Sequence, residues 1–182
     1  GKGIYFLARA RRFGKSLMLS TLEEIFLGNR TLFQGLWIDS SDYVWQSYPV
    51  IRLDFSANAV KSATNLEQVI DYYIEGFAQQ YGITLRGFDY QSRFGNLIQQ
   101  LAAEDKKVVI LIDEYDKPII DHLHDLPTAS AIRDTLKNFY TTIKAMDRYL
   151  RFVFITGISK FSKVGLFSAM NNLADLTMHP RF

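Results

Sequence analysis

Apolar and polar positions alternate between two periods along this chain, one suited to strands and one to helices. Ile4-Tyr5-Phe6-Leu7 is a short apolar run that predicts a strand, and after a polar interval Leu17, Met18, Leu22, Ile25 and Phe26 recur at helical spacing. Pro49-Val50-Ile51-Arg52-Leu53-Asp54-Phe55 alternates and predicts a second strand with a turn after it. Asp54, near its carboxyl end, suits either a ligand-facing position or a loop. Leu66, Val69, Ile70, Tyr73, Ile74 and Phe77 mark an amphipathic helix, with a Thr64/Glu67 capping box expected at its start and Gly82 after its last turn. Phe94, Leu97, Ile98 and Leu101 mark the next helix. Val108-Val109-Ile110-Leu111-Ile112 has no alternation at all, which predicts a strand buried on both faces of a parallel sheet. Ile132, Leu136, Phe139, Tyr140, Ile143 and Met146 form a last helix, which delivers the chain to a strand over Arg151–Thr156. The order β-α-β-α-α-β-α-β predicts a three-layer α/β fold on a parallel sheet.

Chemistry collects where predicted strands end. The first strand runs into Arg9-Ala10-Arg11-Arg12-Phe13-Gly14-Lys15-Ser16, and the first helix begins there. A Gly-Lys-Ser opening a helix offers phosphates free backbone N–H groups, an ammonium, and a hydroxyl for Mg²⁺. The full phosphate-loop (Walker A) pattern G-x-x-x-x-G-K-[ST] wants glycine where Arg9 stands, so only its second half is present. The tripeptide alone also fits an ordinary helix start with an exposed lysine. Context decides between them, because Asp113 and Glu114 follow the buried Val108 strand. Ligands of open α/β sheets sit beyond the carboxyl ends of the strands, so both acids are expected near Gly14. Asp113 is the candidate Mg²⁺ ligand with Ser16, in the manner of a Walker B acid, and Glu114 is the candidate base for water. Acids that merely return a strand to solvent are the alternative. Thr156, and then Ser159, end the Arg151 strand and are candidate sensors of the terminal phosphate, although threonine is also an ordinary strand residue.

Three segments carry a family resemblance: Arg9 to Leu17, the strand ending Asp113-Glu114-Tyr115-Asp116-Lys117-Pro118, and Thr156-Gly157-Ile158-Ser159-Lys160-Phe161-Ser162. Together they resemble the AAA-ATPase-like family of bacterial P-loop proteins, over nearly the whole chain. The resemblance implies a P-loop NTPase core of the additional-strand type, in which the acidic strand is separated from the P-loop strand by another. The expected central order is P-loop strand, sensor strand, acidic strand, Pro49 strand. That family usually reads Arg-Pro-Arg-Arg-Phe-Gly-Lys-Ser, so the missing glycine is a family habit, while Ala10 in place of proline leaves this loop less rigid. The site residues it implies are Arg11, Arg12, Phe13, Gly14, Lys15, Ser16 and Leu17 for nucleotide, Ser16 and Asp113 for metal, and Glu114, Lys15 and Thr156 for catalysis. ATP and Mg²⁺ are the implied cofactors, and ATP hydrolysis coupled to a downstream domain is the implied activity. A nucleotide-held switch or scaffold with little hydrolysis, attached to a nuclease-like module, is the alternative. No Asn-Lys-x-Asp guanine signature occurs.

Composition adds bounds. A chain of 182 residues, 48% hydrophobic, suits one α/β domain, taken here as 1–182. Its start at Gly1 and end at Phe182 make it look like a fragment whose lid and C-terminal nuclease-like domain lie elsewhere. There is no run of about 20 apolar residues and no signal-like amino end, so a soluble cytoplasmic protein is expected, with no membrane partner. Zero cysteines exclude disulfides and thiolate metal sites. Net charge is only +2, yet Arg9, Arg11, Arg12 and Lys15 concentrate positive charge on one loop, which suits a triphosphate. A homo-oligomer, and nucleic acid through a domain outside this chain, are the partners the resemblance allows. Arg151 and Arg181 are the arginines considered for completing a neighbour's site. Trp37, Tyr43, Trp45 and Tyr48 read as a connector on the core or as an adenine-stacking or partner surface. His122 and His124 are expected to diverge on a helix and to bind no metal. Lys160 and Lys163, in the segment after the sensor strand, suit either phosphate contact or a solvated loop.

Overall fold

A computed structural model describes residues 3–10, 12–103, 106–158 and 173–177. Among the described residues five strands form one sheet: β1 (Ile4–Ala8), β2 (Val50–Asp54), β3 (Val108–Asp113), β4 (Leu150–Gly157) and β5 (Leu173–Asp175). Their order is β2-β3-β4-β1-β5 and every pairing is parallel. The expected central order is therefore present, with β4 between the strand entering the loop and the acidic strand. β5 is an addition. It pairs Leu173 with Ile4, and its three residues are too short to show any period.

Helices cover both faces. α1 (Lys15–Leu27) packs on one, while α3 (Ala63–Tyr81), α4 (Tyr90–Leu101) and α6 (Leu126–Ala145) pack on the other; α2 (Trp37–Ser40) and α5 (Lys117–Ile120) are single turns. The unbroken apolar run of β3 is divided by the pleat. Val108, Ile110 and Ile112 join the core under α3, α4 and α6, whereas Val109 and Leu111 join the core under α1. All six residues of β3 are buried.

The helix ends follow local chemistry. α1 and α3 stop at Gly28 and Gly82, each in the left-handed conformation with its N–H bonded back into the last turn. The start of α3 lies earlier than the expected Thr64/Glu67 box: Ser62 is the cap, and its hydroxyl accepts the Asn65 N–H at 3.1 Å. Asp54 ends β2 and its carboxylate holds the turn that follows, accepting the backbone N–H of Ser56 at 2.8 Å and its hydroxyl at 2.7 Å.

Candidate functional site

Arg9 continues β1 for one residue, its N–H donating to the Gly157 carbonyl at 3.0 Å. The chain then turns and enters α1, with Arg12 at φ 68° and Gly14 at φ 73°. Gly14 is the N-cap. Among the described residues no side chain caps the helix, and no acid lies in its first turn, so the positive end of a 13-residue dipole is open for an anion. Among the described residues beyond its chain neighbours and its own helix, none lies within 4 Å of where a Cβ would stand on Gly14, so the positive φ selects glycine there. Arg9 is not among the residues of positive φ, which is why the loop does without the first glycine of the pattern.

Lys15 turns inward and is 5% exposed. Its Nζ donates to the carbonyls of Arg9 at 2.9 Å and Ala10 at 3.1 Å, drawing the loop around its own ammonium. A buried charge held by neutral carbonyls has room for a stronger, negatively charged partner. Ser16 Oγ donates to Asp113 Oδ2 at 2.6 Å across 97 residues of sequence. The other oxygen of Asp113 accepts the Thr156 hydroxyl and, at 3.1 Å, the Glu114 N–H. The Ser16 hydroxyl of the loop and the Thr156 hydroxyl of β4 thus converge on the one buried carboxylate of Asp113. Hydroxyl and carboxylate oxygens beside a phosphate cradle are the hard donors that Mg²⁺ takes, usually with few carboxylates, so the residues present fit that ion.

The structure places the other candidates as follows. Arg12, Phe13 and Leu17 are exposed along the loop and the first turn of α1, and Glu114 is half-buried immediately after Asp113. Thr156 is fully buried. Arg11, Ser159, Lys160, Lys163 and Arg181 lie outside the described residues. Arg151 sits at the amino end of β4, its Nε 3.3 Å from the Tyr48 hydroxyl. Trp45 packs between Phe33 and Tyr43, and Tyr48 packs on Phe26. Tyr48 also donates its N–H to Phe26 at the end of α1, which puts this aromatic group at the amino ends of the strands. Tyr43, Trp45 and Tyr48 form a connector on the core there, away from the phosphate loop, whereas Trp37 is exposed on α2. His122 and His124 are in a turn and not on a helix; their rings stack 6.2 Å apart instead of diverging, and His122 Nδ1 bonds the Pro118 carbonyl at 3.0 Å. Among the described residues no group of three acids or histidines forms a metal cluster, and no helix is long and apolar enough to cross a membrane.

Sequence reasoning assigned no role to Asp116 or Gly157. Asp116 is fully buried, with Oδ1 and Oδ2 at 3.2 and 3.1 Å from the Ile158 N–H, and Gly157 lies under the Tyr115 ring. An acid three residues past Asp113 was the available signal. The Ile158 group it accepts from is a backbone amide, which no residue type announces.

A family model described as Predicted AAA-ATPase matches residues 1–167. An uncharacterized protein in the vnfD 5′ region of Azotobacter chroococcum mcd 1 is 45% identical over 179 residues, covering 98% of this chain and 35% of its own length. The chain therefore spans about a third of the curated relative it matches. Among solved structures, Cdc6p from Pyrobaculum aerophilum superposes with a TM-score of 0.51 at 14% identity, covering 94% of this chain and 38% of that one, a likeness of fold.

Proposed function

Because this chain belongs to the AAA-ATPase-like family, we propose that it binds ATP with Mg²⁺ at residues 11–17 and hydrolyses it, passing the change to a further domain. Family and fold support a nucleotide-binding P-loop ATPase in general. The Ser16–Asp113 hydrogen bond carries the finer reading, since it joins the hydroxyl of the phosphate loop to the acid of the buried strand.

The residues divide the work. The open N–H groups of α1 and the Lys15 ammonium bind phosphate oxygens, Lys15 exchanging loop carbonyls for a charged partner. Arg11 adds positive charge from the same loop, and Arg12, Phe13 and Leu17 form its outer rim. Mg²⁺ held by Ser16 and Asp113 would supply neutralisation of the charge that develops between the β- and γ-phosphates. Thr156, buried on the second oxygen of Asp113, acts by fixing that carboxylate. Glu114 orients the attacking water and accepts its proton. The remaining two-thirds of the longer relative leaves room for the coupled domain, nuclease-like if the family resemblance extends that far.

The test is Mg²⁺-dependent phosphate release beside the Glu114→Gln variant. Glu114→Gln keeps ATP binding and loses about 10²–10⁴-fold in turnover, the usual contribution of a positioned base. Turnover that survives assigns the base elsewhere. Binding without release by the unaltered chain replaces the hydrolase with a nucleotide-held switch.

A further inference from the structure

The three residues that leave β3 lie against the three that leave or end β4. The Glu114 N–H reaches Thr156 Oγ1 at 3.4 Å, and the Tyr115 N–H donates to the Thr156 carbonyl at 3.0 Å. The Tyr115 ring covers Gly157 so closely that a Cβ there would stand 2.3 Å from a ring carbon. Asp116 completes the series with both carboxylate oxygens on the Ile158 N–H. Across the same interior lies the buried Tyr140 of α6, whose ionisation is pushed up by burial first and then by Tyr115 and Asp116. A carboxylate in this position is costly unless its hydrogen bonds fix something in return.

What it fixes is indicated by Glu114, whose φ of 49° lies in the left-handed region that side chains disfavour. Such a backbone persists where its surroundings over-determine it. Asp113 and Thr156 hold the amide of Glu114 from one side. Asp116, two residues on, ties the far side of the same turn to the end of β4.

We propose that Asp116 is a positioning residue for Glu114: it locks the turn carrying Glu114 to the chain leaving β4, so that the water-orienting carboxylate and the backbone at Ile158 move as one unit. This assignment rests on Glu114 acting on water as described above. Lys15, Ser16 and Asp113 reach the nucleotide without passing through this lock, so its loss affects turnover and spares binding.

Two variants of the 182-residue chain test it. Asp116→Ala removes both acceptors, and Asp116→Asn keeps one carbonyl of the same shape. Amide hydrogen exchange at Ile158, read without nucleotide, reports the lock itself: it quickens about 10- to 100-fold in Asp116→Ala and less in Asp116→Asn. Phosphate release falls about 100-fold in Asp116→Ala, the scale of a misplaced catalytic group, with ATP affinity unchanged and part of the loss recovered in Asp116→Asn. If Asp116→Ala does not fold, Asp116→Asn still shows faster Ile158 exchange and slower release at unchanged affinity. Unchanged exchange, undiminished release, or affinity that falls in step with turnover overturns the assignment of Asp116 alone. No release from the unaltered chain overturns the ATPase reading together with it.

Discussion

A methyl group on residue 157 would stand 2.3 Å from a ring carbon of Tyr115 and 2.9 Å from Asp116 Oδ1, both parts of the turn that carries Glu114. Glycine is required there by close approach. At Gly14 the space is open and the requirement is the positive φ alone. The two positions therefore answer differently to the same substitution. Gly157→Ala forces the ring or the β4 backbone to move, which costs about 1–3 kcal/mol as an overpacked core does. Thermal melting checks this: the variant melts several degrees lower, and an unchanged midpoint would mean that the ring swings aside freely. Lys15 shows the same economy on the polar side. Its ammonium is buried against two carbonyls of its own loop, a geometry that draws the loop around it.

Elements are held by chemistry that varies in how openly the sequence displays it. The apolar run of β3 and the three- and four-residue spacing of α3, α4 and α6 were legible because burial on a known number of faces leaves a period. The Ser16–Asp113 meeting was legible as well, since phosphate and metal chemistry prescribe residue types. The true cap of α3, the three residues of β5 and the single turns α2 and α5 were not, because each is decided by a few backbone bonds. The open edge of β2 is closed in a way no pattern predicts: the Tyr81 hydroxyl accepts the Val50 N–H at 3.1 Å, and the Tyr73 hydroxyl donates to the Asp54 carbonyl at 2.8 Å. At the start of α4, Asp89 accepts the Ser92 N–H at 2.7 Å and the Ser92 hydroxyl, which reaches back toward the Asp89 N–H. The Ser92 hydroxyl, then its amide, holds the Asp89 carboxyl below the usual carboxylate range. A carboxyl lowered on folding stabilises the fold above its ordinary range, and that contribution is lost as pH falls through the lowered range. Asp89→Ala therefore costs about 1 kcal/mol near neutrality, as lost caps do. Urea midpoints of the two proteins converge in strong acid, and a gap of the same size at both pH values would contradict the role given to this carboxylate.

On the scale of the molecule, one topological fact organises the rest. With every strand parallel, the carboxyl ends of β1, β3 and β4 open on one end of the sheet, where the phosphate loop, Asp113, Glu114 and Thr156 meet. The opposite end carries the aromatic connector and Arg151 on Tyr48. Contacts of residues 114–116 with 156–158 bind the ends of β3 and β4 together there. All of this depends on the loop holding a nucleotide's phosphates with Lys15 at their centre. Titration calorimetry of ATP into the chain, with and without Mg²⁺ and beside Lys15→Ala, addresses that dependence directly. Binding that strengthens with Mg²⁺ and weakens about 100-fold in Lys15→Ala, the loss of one or two charge-assisted hydrogen bonds, is the outcome expected. Equal affinity in the two proteins would contradict the phosphate-loop assignment and everything built on it.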